Sequence, residues 1–348
     1  MDNLNETLHK QPSIAIVILN WNGHDDTVDC LKSLAECAYN NFEILLVDNA
    51  SEDNSIAIIK DRLQVYNQQT TERKYQLGEK TTNSESDDDA IQITFIENVD
   101  NYGFAKGNNI GIKYAMNHSV EYVLLLNNDT TVGKDFLQEL MSFFATHNDY
   151  AVVTPQIRYY DKPDFIWNCG GKLSNFGTRK YFFDDKHYSE LPNKNHLDIS
   201  FITGCALMAT ADVLKTFGPL SEDFFFGEED YEFSMRMKEN HVKVACVLPS
   251  VIYHKVNSSI SKASDSAIGK IYIHYLNRFI NMRNYFPRWK WLLWRRVYLF
   301  YISVLLKNKH KIKCKTIRKF NKRLLADSAT MIRVGKQTFE YYIKYNFD

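Results

Sequence analysis

Short apolar runs that end at Asn or Asp recur along the first 130 residues of the chain. The runs comprise residues 14–19, 42–47, 91–96 and 122–126. Short uninterrupted runs of aliphatic and β-branched residues are typical of strands buried on both faces of a sheet. Segments with helical spacing follow the polar stops. This alternation predicts an α/β fold with right-handed crossovers and a mainly parallel sheet flanked by helices.

Acidic residues suggest where two of the predicted helices begin. Asp25 or Asp26 is expected to cap a helix through residues 27–34, and Asp212 is expected to cap a helix through residues 213–217. A side-chain oxygen at the N-cap accepts a hydrogen bond from the first helical turn.

The polar stop at residues 127–129 is the most informative of the set. Asn127, Asn128 and Asp129 directly follow the apolar run 122–126. Ligands of open α/β sheets bind beyond the carboxyl ends of the strands. Asn127 and Asp129 lie on one face of the chain at a period of two and offer hard oxygen ligands to Mg²⁺ or Mn²⁺. A plain polar turn is the alternative, but convergence of several such stops on one edge favours a nucleotide-and-metal cleft.

Charge is distributed unevenly although the net charge is zero. From Lys270 to the end there are 19 Lys and Arg residues against 3 Asp and Glu residues. This region also contains an apolar run at residues 297–306, beside tryptophans and arginines, that is shorter than the ~20 residues of a spanning helix. The pattern predicts a helix on the surface of a membrane. Packing against the rest of the chain or against a second subunit in a homodimer is the alternative, and nucleic acid is disfavoured because no recognition motif accompanies the charge.

Composition fits an enzyme from a reducing compartment. The chain has 348 residues, of which 45% are hydrophobic, enough for a substantial core. Its six cysteines form no CxxC pair or zinc spacing, which predicts buried thiols and a cytoplasmic location. The polar start of the chain does not resemble a signal peptide. The polar insertion at residues 67–90 is expected to be a surface loop.

Six separated motifs resemble those of the family-2 glycosyltransferases of the GT-A fold, especially the rhamnosyltransferase subgroup. They are VILNWNG at 17–23, VDNAS at 47–51, NYGFAKGNN at 101–109, LLLNNDT at 124–130, FFFGEED at 224–230 and YHK at 253–255. The resemblance covers about residues 13–260. One departure is that the usual Asp-x-Asp metal motif reads Asn-Asn-Asp here, which leaves one carboxylate in place of two.

The resemblance implies a domain plan and a role for individual residues. Residues 1–12 form a tail, and residues 13–268 form a catalytic domain with a nucleotide-sugar half (13–132) and an acceptor half (133–268). Residues 269–348 form the basic helical extension. Asp230 is implied as the catalytic base, Glu229 and Trp167 as acceptor-positioning residues, and Asp129 with His254 as metal ligands. The implied nucleotide-sugar residues are Asn20, Asn22, Asp48, Asn101, Gly103, Lys106, Asn108, Asn127 and Asn128.

The implied function is an inverting, metal-dependent glycosyl transfer that uses Mn²⁺ or Mg²⁺. The expected donor is dTDP-L-rhamnose and the expected acceptor a glycan, lipid-linked at the inner face of a bacterial membrane, in surface polysaccharide synthesis. A UDP-hexose or UDP-N-acetylhexosamine donor, or a non-catalytic nucleotide-sugar-binding protein, is the alternative. A processive synthase is disfavoured because the sequence lacks the Gln of a Gln-x-x-Arg-Trp motif, and a nucleotidyltransferase because no Gly-rich basic loop follows the first strand.

Overall fold

A mixed, mostly parallel sheet flanked by helices forms the centre of the protein. The computed structural model describes residues 11–66, 71–75, 92–256 and 267–347. Its strands are β1 (Ile14–Asn20), β2 (Phe42–Asp48), β3 (Thr71–Tyr75), β4 (Gln92–Glu97), β5 (Tyr122–Asn127), β6 (Thr130–Val132), β7 (Tyr150–Tyr159), β8 (Phe165–Asn168), β9 (Gly171–Leu173), β10 (Arg179–Tyr181), β11 (Lys186–His187), β12 (His196–Ile199), β13 (Ala206–Thr210) and β14 (Lys243–His254). The helices are α1 (His24–Ala35), α2 (Ser55–Tyr66), α3 (Gly103–Asn117), α4 (Phe136–Thr146), α5 (Ala211–Phe217), α6 (Glu229–Glu239), α7 (Ala267–Tyr285), α8 (Arg288–Asn308), α9 (Cys314–Thr330) and α10 (Lys336–Ile343).

The first half of the chain builds a fully parallel set of strands. Their spatial order is β3-β4-β2-β1-β5, and every neighbouring pair is parallel. β13 then pairs antiparallel with β5 and continues the sheet to β7, beside which β14 runs parallel. Because β5, β1 and β2 are adjacent and parallel, their carboxyl ends meet at one edge, as the alternating sequence pattern predicts.

Both faces of the central strands are buried. In β1, Ile14, Ile16 and Ile18 enter the core on one face, while Ala15 and Val17 enter the core on the other. All five side chains are at most 1% exposed. This explains why the strand is an unbroken apolar run and not an alternating pattern.

Helix α3 lies unusually close to the sheet because it carries a glycine where it crosses β1. A Cβ atom at Gly111 would lie 2.5 Å from a methyl of Val17, well inside van der Waals contact. The helix that bears the NYGFAKGNN motif is therefore seated directly on the strand that ends at Asn20.

Three sequence expectations need correction. The insertion at 67–90 is not loop throughout, because Thr71–Tyr75 forms the edge strand β3 against β4; the remaining insertion residues lie outside the described ranges. Neither Asp25 nor Asp26 caps α1, whose N-cap is Gly23, and both lie in its first turn, where carboxylates complement the helix dipole. Helix α5 is capped by Thr210, which accepts from the Val213 amide, so Asp212 is a first-turn residue as well.

Helices α7 to α10 pack on the region around residues 173–235 through a third hydrophobic core. That core joins side chains of α7 to α10 with Leu173, Phe201, Phe224 and Tyr231. Within α8, Trp291 and Trp294 are buried, whereas Trp289 is 71% exposed. The inner face of α8 is thus a packing surface. No helix in the described part of the chain is both long and apolar enough to span a bilayer.

Candidate active site

The polar ends of three neighbouring strands lie together at one edge of the sheet. Asn20 pairs with Asp48 in the β1–β2 register, and Leu19 pairs with Asn127 in the β1–β5 register. The structure therefore brings together Asn20, Asp48 and Asn127, which are spread over more than 100 residues of the sequence. Proximity here follows from strand order alone.

Asp48 is held rigidly by the groups around it. Asn20 donates its side-chain amide to Asp48 Oδ1 at 2.8 Å, and the Ser51 hydroxyl donates to the same oxygen at 2.6 Å. The Ser51 backbone amide donates to Oδ2 at 2.9 Å. A carboxylate has about four acceptor positions, so three bonds leave Asp48 able to accept one more. Asn20, which is fully buried, orients this carboxylate rather than facing a ligand.

Asn49 organises the neighbouring loop, and sequence reasoning did not single it out. Its side-chain oxygen accepts from the Asn98 side chain at 3.2 Å and from the Tyr102 amide at 3.1 Å. Its side-chain nitrogen donates to Asn101 Oδ1 at 2.9 Å and to the Gly103 carbonyl at 3.2 Å. This buried amide therefore ties the end of β2 to the loop before α3. Its position directly after Asp48 in the VDNAS motif was the available signal.

Two further asparagines of the expected donor site brace the first loop of the sheet edge. Asn22 has a φ of 51° and accepts from the Glu52 amide at 2.8 Å. Asn128 donates to the Thr27 hydroxyl at 2.9 Å and so binds the start of α1. Both side chains are used to fix the loop around the cleft.

Two other residues expected to bind the nucleotide-sugar lie near the start of α3, one in the core and one on the surface. Asn108 is buried and donates to the Phe104 carbonyl of its own helix at 2.9 Å. Lys106 is exposed and lies with its Nζ 4.2 Å from the ring centre of Tyr102. Of the two, Lys106 is the side chain with access to a ligand.

Gly103 is the point where the loop before α3 meets the turn that leads into the acidic motif. Its φ is +81°, and a Cβ there would lie 2.1 Å from the Phe225 carbonyl oxygen. The next amide, of Phe104, donates to that same oxygen at 3.0 Å. Only glycine permits this approach, so the motifs at 101–109 and 224–230 lie in direct contact.

Asp129 and His254 form a buried pair at the same edge. Asp129 Oδ1 lies 3.2 Å from His254 Nε2, and the side chains are each 9% exposed. Hydrogen bonding of the Lys255 amide to the Asp129 carbonyl at 2.9 Å holds the two chain segments together. Trp167 packs edge-on against the His254 ring, with centroids 4.4 Å apart. The structure therefore places Trp167 beside the Asp129–His254 pair.

A carboxylate oxygen and an imidazole nitrogen this close fit a divalent cation that takes most of its ligands from a substrate. Within the described ranges, no group of three or more His, Cys, Asp or Glu side chains is arranged to hold a metal. Asp129 and His254 therefore suit an open cation site whose remaining ligands would be phosphate oxygens. They do not suit a closed structural site.

The acidic motif begins helix α6. Glu229 is buried, and this burial raises the pKa of its carboxyl to about 8, with the neighbouring Asp230 and Glu228 carboxylates adding to the shift. The Asp230 side chain is 18% exposed and lies 3.5 Å from Arg179 Nη1. Asp230 is thus the accessible carboxylate of the two, and Arg179 orients it. No sequence motif pointed to Arg179.

A family model described as Glycosyl transferase family 2 matches residues 15–216, and one described as Glycosyl transferase family group 2 matches residues 122–314. The first covers more than half of the chain and all the strand-end motifs. The chain belongs to glycosyltransferase family 2.

Two curated relatives show how far the similarity extends. The low-salt glycan biosynthesis hexosyltransferase Agl10 of Haloferax volcanii is 25% identical over 202 residues, which are 56% of this chain and 62% of that protein. The dTDP-rhamnosyl transferase RfbF of Shigella flexneri is 24% identical over 188 residues, 53% of this chain and 59% of that protein. The chain thus matches about three fifths of the length of each relative.

A solved structure supports the fold. GalNAc-T7 with UDP, GalNAc and Mn²⁺ superposes with a TM-score of 0.58 at 12% identity, over 93% of this chain and 58% of that one. The fold is GT-A, as the sequence motifs implied.

The buried Glu229 carboxyl generates a prediction about pH and stability. The folded protein holds its proton up to about pH 8, whereas the ordinary value for Glu is 4.5. Between these values the native state binds more protons than the unfolded chain, so the free energy of unfolding falls as pH rises. We expect Glu229→Gln to stabilise the protein at pH 8 by about 1 kcal/mol or more, since one pKa unit is worth about 1.4 kcal/mol, with little difference at pH 5.

Urea unfolding at pH 5, 6.5 and 8 measures this effect. Glu239→Gln, an exposed change on the same helix, is the matched control and should leave the pH dependence unaltered. A stabilisation by Glu229→Gln that is equal at pH 5 and pH 8 would show that the group does not hold its proton in the folded state.

Proposed function

We propose that this glycosyltransferase transfers a sugar with inversion from a nucleoside-diphosphate donor to a glycan acceptor, aided by Mn²⁺ or Mg²⁺. One observation carries the proposal. Asn127, two residues before Asp129, donates its backbone amide to the Cys205 carbonyl at 2.8 Å, and a Cβ atom on the adjacent Gly204 would lie 3.9 Å from Asp230 Cβ. The Asp129–His254 pair and the accessible Asp230 therefore lie on segments that residues 204–205 connect. A donor-side cation site and an acceptor-side carboxylate are the two parts that such a transfer requires.

The donor occupies the edge of the sheet in this proposal. Asp48 accepts from the N3–H of a uracil or thymine ring with its remaining acceptor position, and the loop braced by Asn49 borders the ribose and diphosphate. Lys106, in the first turn of α3, is an exposed cation beside that loop. Asp129 and His254 would hold the divalent ion, which when bound offsets charge on the departing nucleoside diphosphate.

Asp230 acts as the base. It removes the proton from the acceptor hydroxyl as that oxygen attacks the anomeric carbon, and the bond from this carbon to the diphosphate oxygen breaks on the opposite face. A single carboxylate suffices because inversion needs no covalent intermediate. Glu229, protonated at neutral pH, positions the acceptor or the turn without competing for the proton.

L-Rhamnose from dTDP-rhamnose is the proposed donor sugar. The subgroup motifs and the similarity to a protein named as a dTDP-rhamnosyl transferase support it. A UDP-hexose is the second candidate, supported by the similarity to a protein named as a hexosyltransferase.

A donor screen decides between these sugars. We expect release of nucleoside diphosphate from dTDP-rhamnose to exceed release from UDP-glucose and UDP-N-acetylglucosamine at least about tenfold. Each donor is assayed with Mn²⁺ and with chelator, because metal dependence is part of the proposal. A higher rate with either UDP-sugar would replace rhamnose with that sugar.

Asp230→Asn tests the base. The amide cannot take a proton, so turnover should fall at least about a hundredfold, the usual contribution of a positioned base. Affinity for the donor, measured by calorimetry in Mn²⁺, should stay within about twofold. Loss of donor affinity with turnover nearly intact would move Asp230 to the donor site.

The outer face of α8 is proposed to lie on an anionic membrane that presents a lipid-linked acceptor. Its exposed apolar side chains are Trp289, Leu292, Leu293, Val297, Phe300, Tyr301 and Val304. Exposed basic residues flank them, namely Lys290, Arg296, Lys307, Lys309, Lys311, Lys313 and Lys315. An apolar stripe bordered by cations is complementary to acyl chains beneath anionic headgroups.

Co-sedimentation with anionic vesicles tests this surface. We expect the double change Leu293→Ser, Phe300→Ser to lower the bound fraction at least about fivefold at low salt, and added salt to release the unchanged protein. Ile332→Ser, at a residue 72% exposed elsewhere in the extension, is the control and should bind as the unchanged chain does. Equal pelleting of all three proteins would exclude membrane binding by this surface. If sedimentation instead shows a dimer that the double change dissociates, the apolar stripe is the contact with a second copy of the chain.

A further inference from the structure

One face of α7 binds the turn that leads into the acidic motif. Asn277 donates its side-chain amide to the carbonyls of Phe226 at 3.1 Å and Gly227 at 2.8 Å. Arg278 Nε and Asn281 Nδ2 both donate to Glu228 Oε1, at 2.5 Å and 2.9 Å. Spacing along one face of the helix lets these side chains reach the same turn.

The hydrogen bonds from α7 hold Glu228 in an unfavourable backbone conformation. Glu228 has a φ of 95°, in the left-handed region that costs a non-glycine residue about 1–3 kcal/mol unless its surroundings hold it there. Its side chain is buried and fixed by the bonds from α7. Because Glu228 is the N-cap of α6, its conformation sets the direction in which Glu229 and Asp230 leave the turn.

Arg278 also holds the hairpin that carries Arg179. Its Nη1 donates to the Gly177 carbonyl, in the turn between β9 and β10. Two side chains of α8 fix the same turn: Trp294 Nε1 donates to the Phe176 carbonyl at 2.7 Å, and the Tyr298 hydroxyl donates to the Gly177 carbonyl at 3.4 Å. Arg179 follows two residues later and reaches Asp230 at 3.5 Å.

A single guanidinium thus binds the chain two residues before each member of the Asp230–Arg179 pair. We propose that Arg278 is a positioning residue for glycosyl transfer, fixing the separation and orientation of Asp230 and Arg179 from the α7 side. The inference rests on the proposed function and extends it, since it makes the C-terminal extension part of the reacting geometry. Glu228 keeps its charge paired, and α7 need not touch the acceptor.

Arg278→Lys tests this role with the smallest change. Lysine keeps the positive charge beside Glu228 but has no planar fork with which to bind Glu228 and Gly177 together. Arg283→Lys is the matched control on the same helix. Arg283 donates to the carbonyls of Ser328 at 3.3 Å and Met331 at 2.8 Å, and so ties α7 to α9.

The readout is the separation of turnover from nucleotide binding in the full-length protein. With Arg278→Lys we expect the transfer rate to fall at least about tenfold, while calorimetric affinities for UDP and dTDP in Mn²⁺ stay within about twofold. Arg283→Lys should alter thermal stability without this selective loss of turnover. If the two variants lose turnover equally at equal loss of stability, Arg278 is structural only and the proposal fails.

A second variant tests the same role if Arg278→Lys fails to fold. Where Arg278→Lys does not fold, the double change Glu228→Gln, Arg278→Met removes both members of the pair and leaves no unpaired buried charge. The same loss of turnover with intact nucleotide binding is then expected, and unchanged turnover overturns the role. Absence of transfer by the unchanged protein with every donor tested would overturn the proposed function itself, and with it the positioning role.

Discussion

Parallel pairing of β1 with β2 and β5 is the constraint on which the site depends. The register places Asn20 beside Asp48 and Leu19 beside Asn127, so three strand ends share one edge. The carboxylate of Asp48 is attached to that edge through Asn20, the 98–103 loop is attached through Asn49, and Asp129 lies two residues beyond β5. A shift of one residue in any of these strands would turn its terminal side chain to the opposite face.

The acidic motif depends on a different kind of interaction. Its carboxylates lie at the start of α6, after a turn that contacts Gly103 and accepts hydrogen bonds from α7. The C-terminal helices, which the chain's charge distribution marks as a separate region, share a hydrophobic core with Phe224 and Tyr231. The inner side of the extension therefore packs against the acidic motif, while the outer face of α8 is exposed.

Much of this architecture could be predicted from the sequence, for reasons that the structure makes clear. Strands buried on both faces are apolar throughout, and the ends of adjacent parallel strands meet at one edge. The runs that end at Asn20, Asp48 and Asn127 therefore predict both the sheet and the site at its edge. Helix caps were less predictable, because Asp25 and Asp212 act as well within a first turn as at the cap. Arg179 and Arg278 could not be found, since their partners Asp230 and Glu228 are 50 or more residues distant and only tertiary packing brings them together.

A crystal structure with Mn²⁺ and dTDP or UDP tests the central claim most directly. We expect an anomalous manganese peak at a site coordinated by Asp129, His254 and diphosphate oxygens. We also expect the pyrimidine ring against Asp48 and an open space between the diphosphate and Asp230 for the sugar and acceptor. An ordered nucleotide away from the β1–β2–β5 edge, or a diphosphate bound there with manganese on neither Asp129 nor His254, would contradict the proposed function.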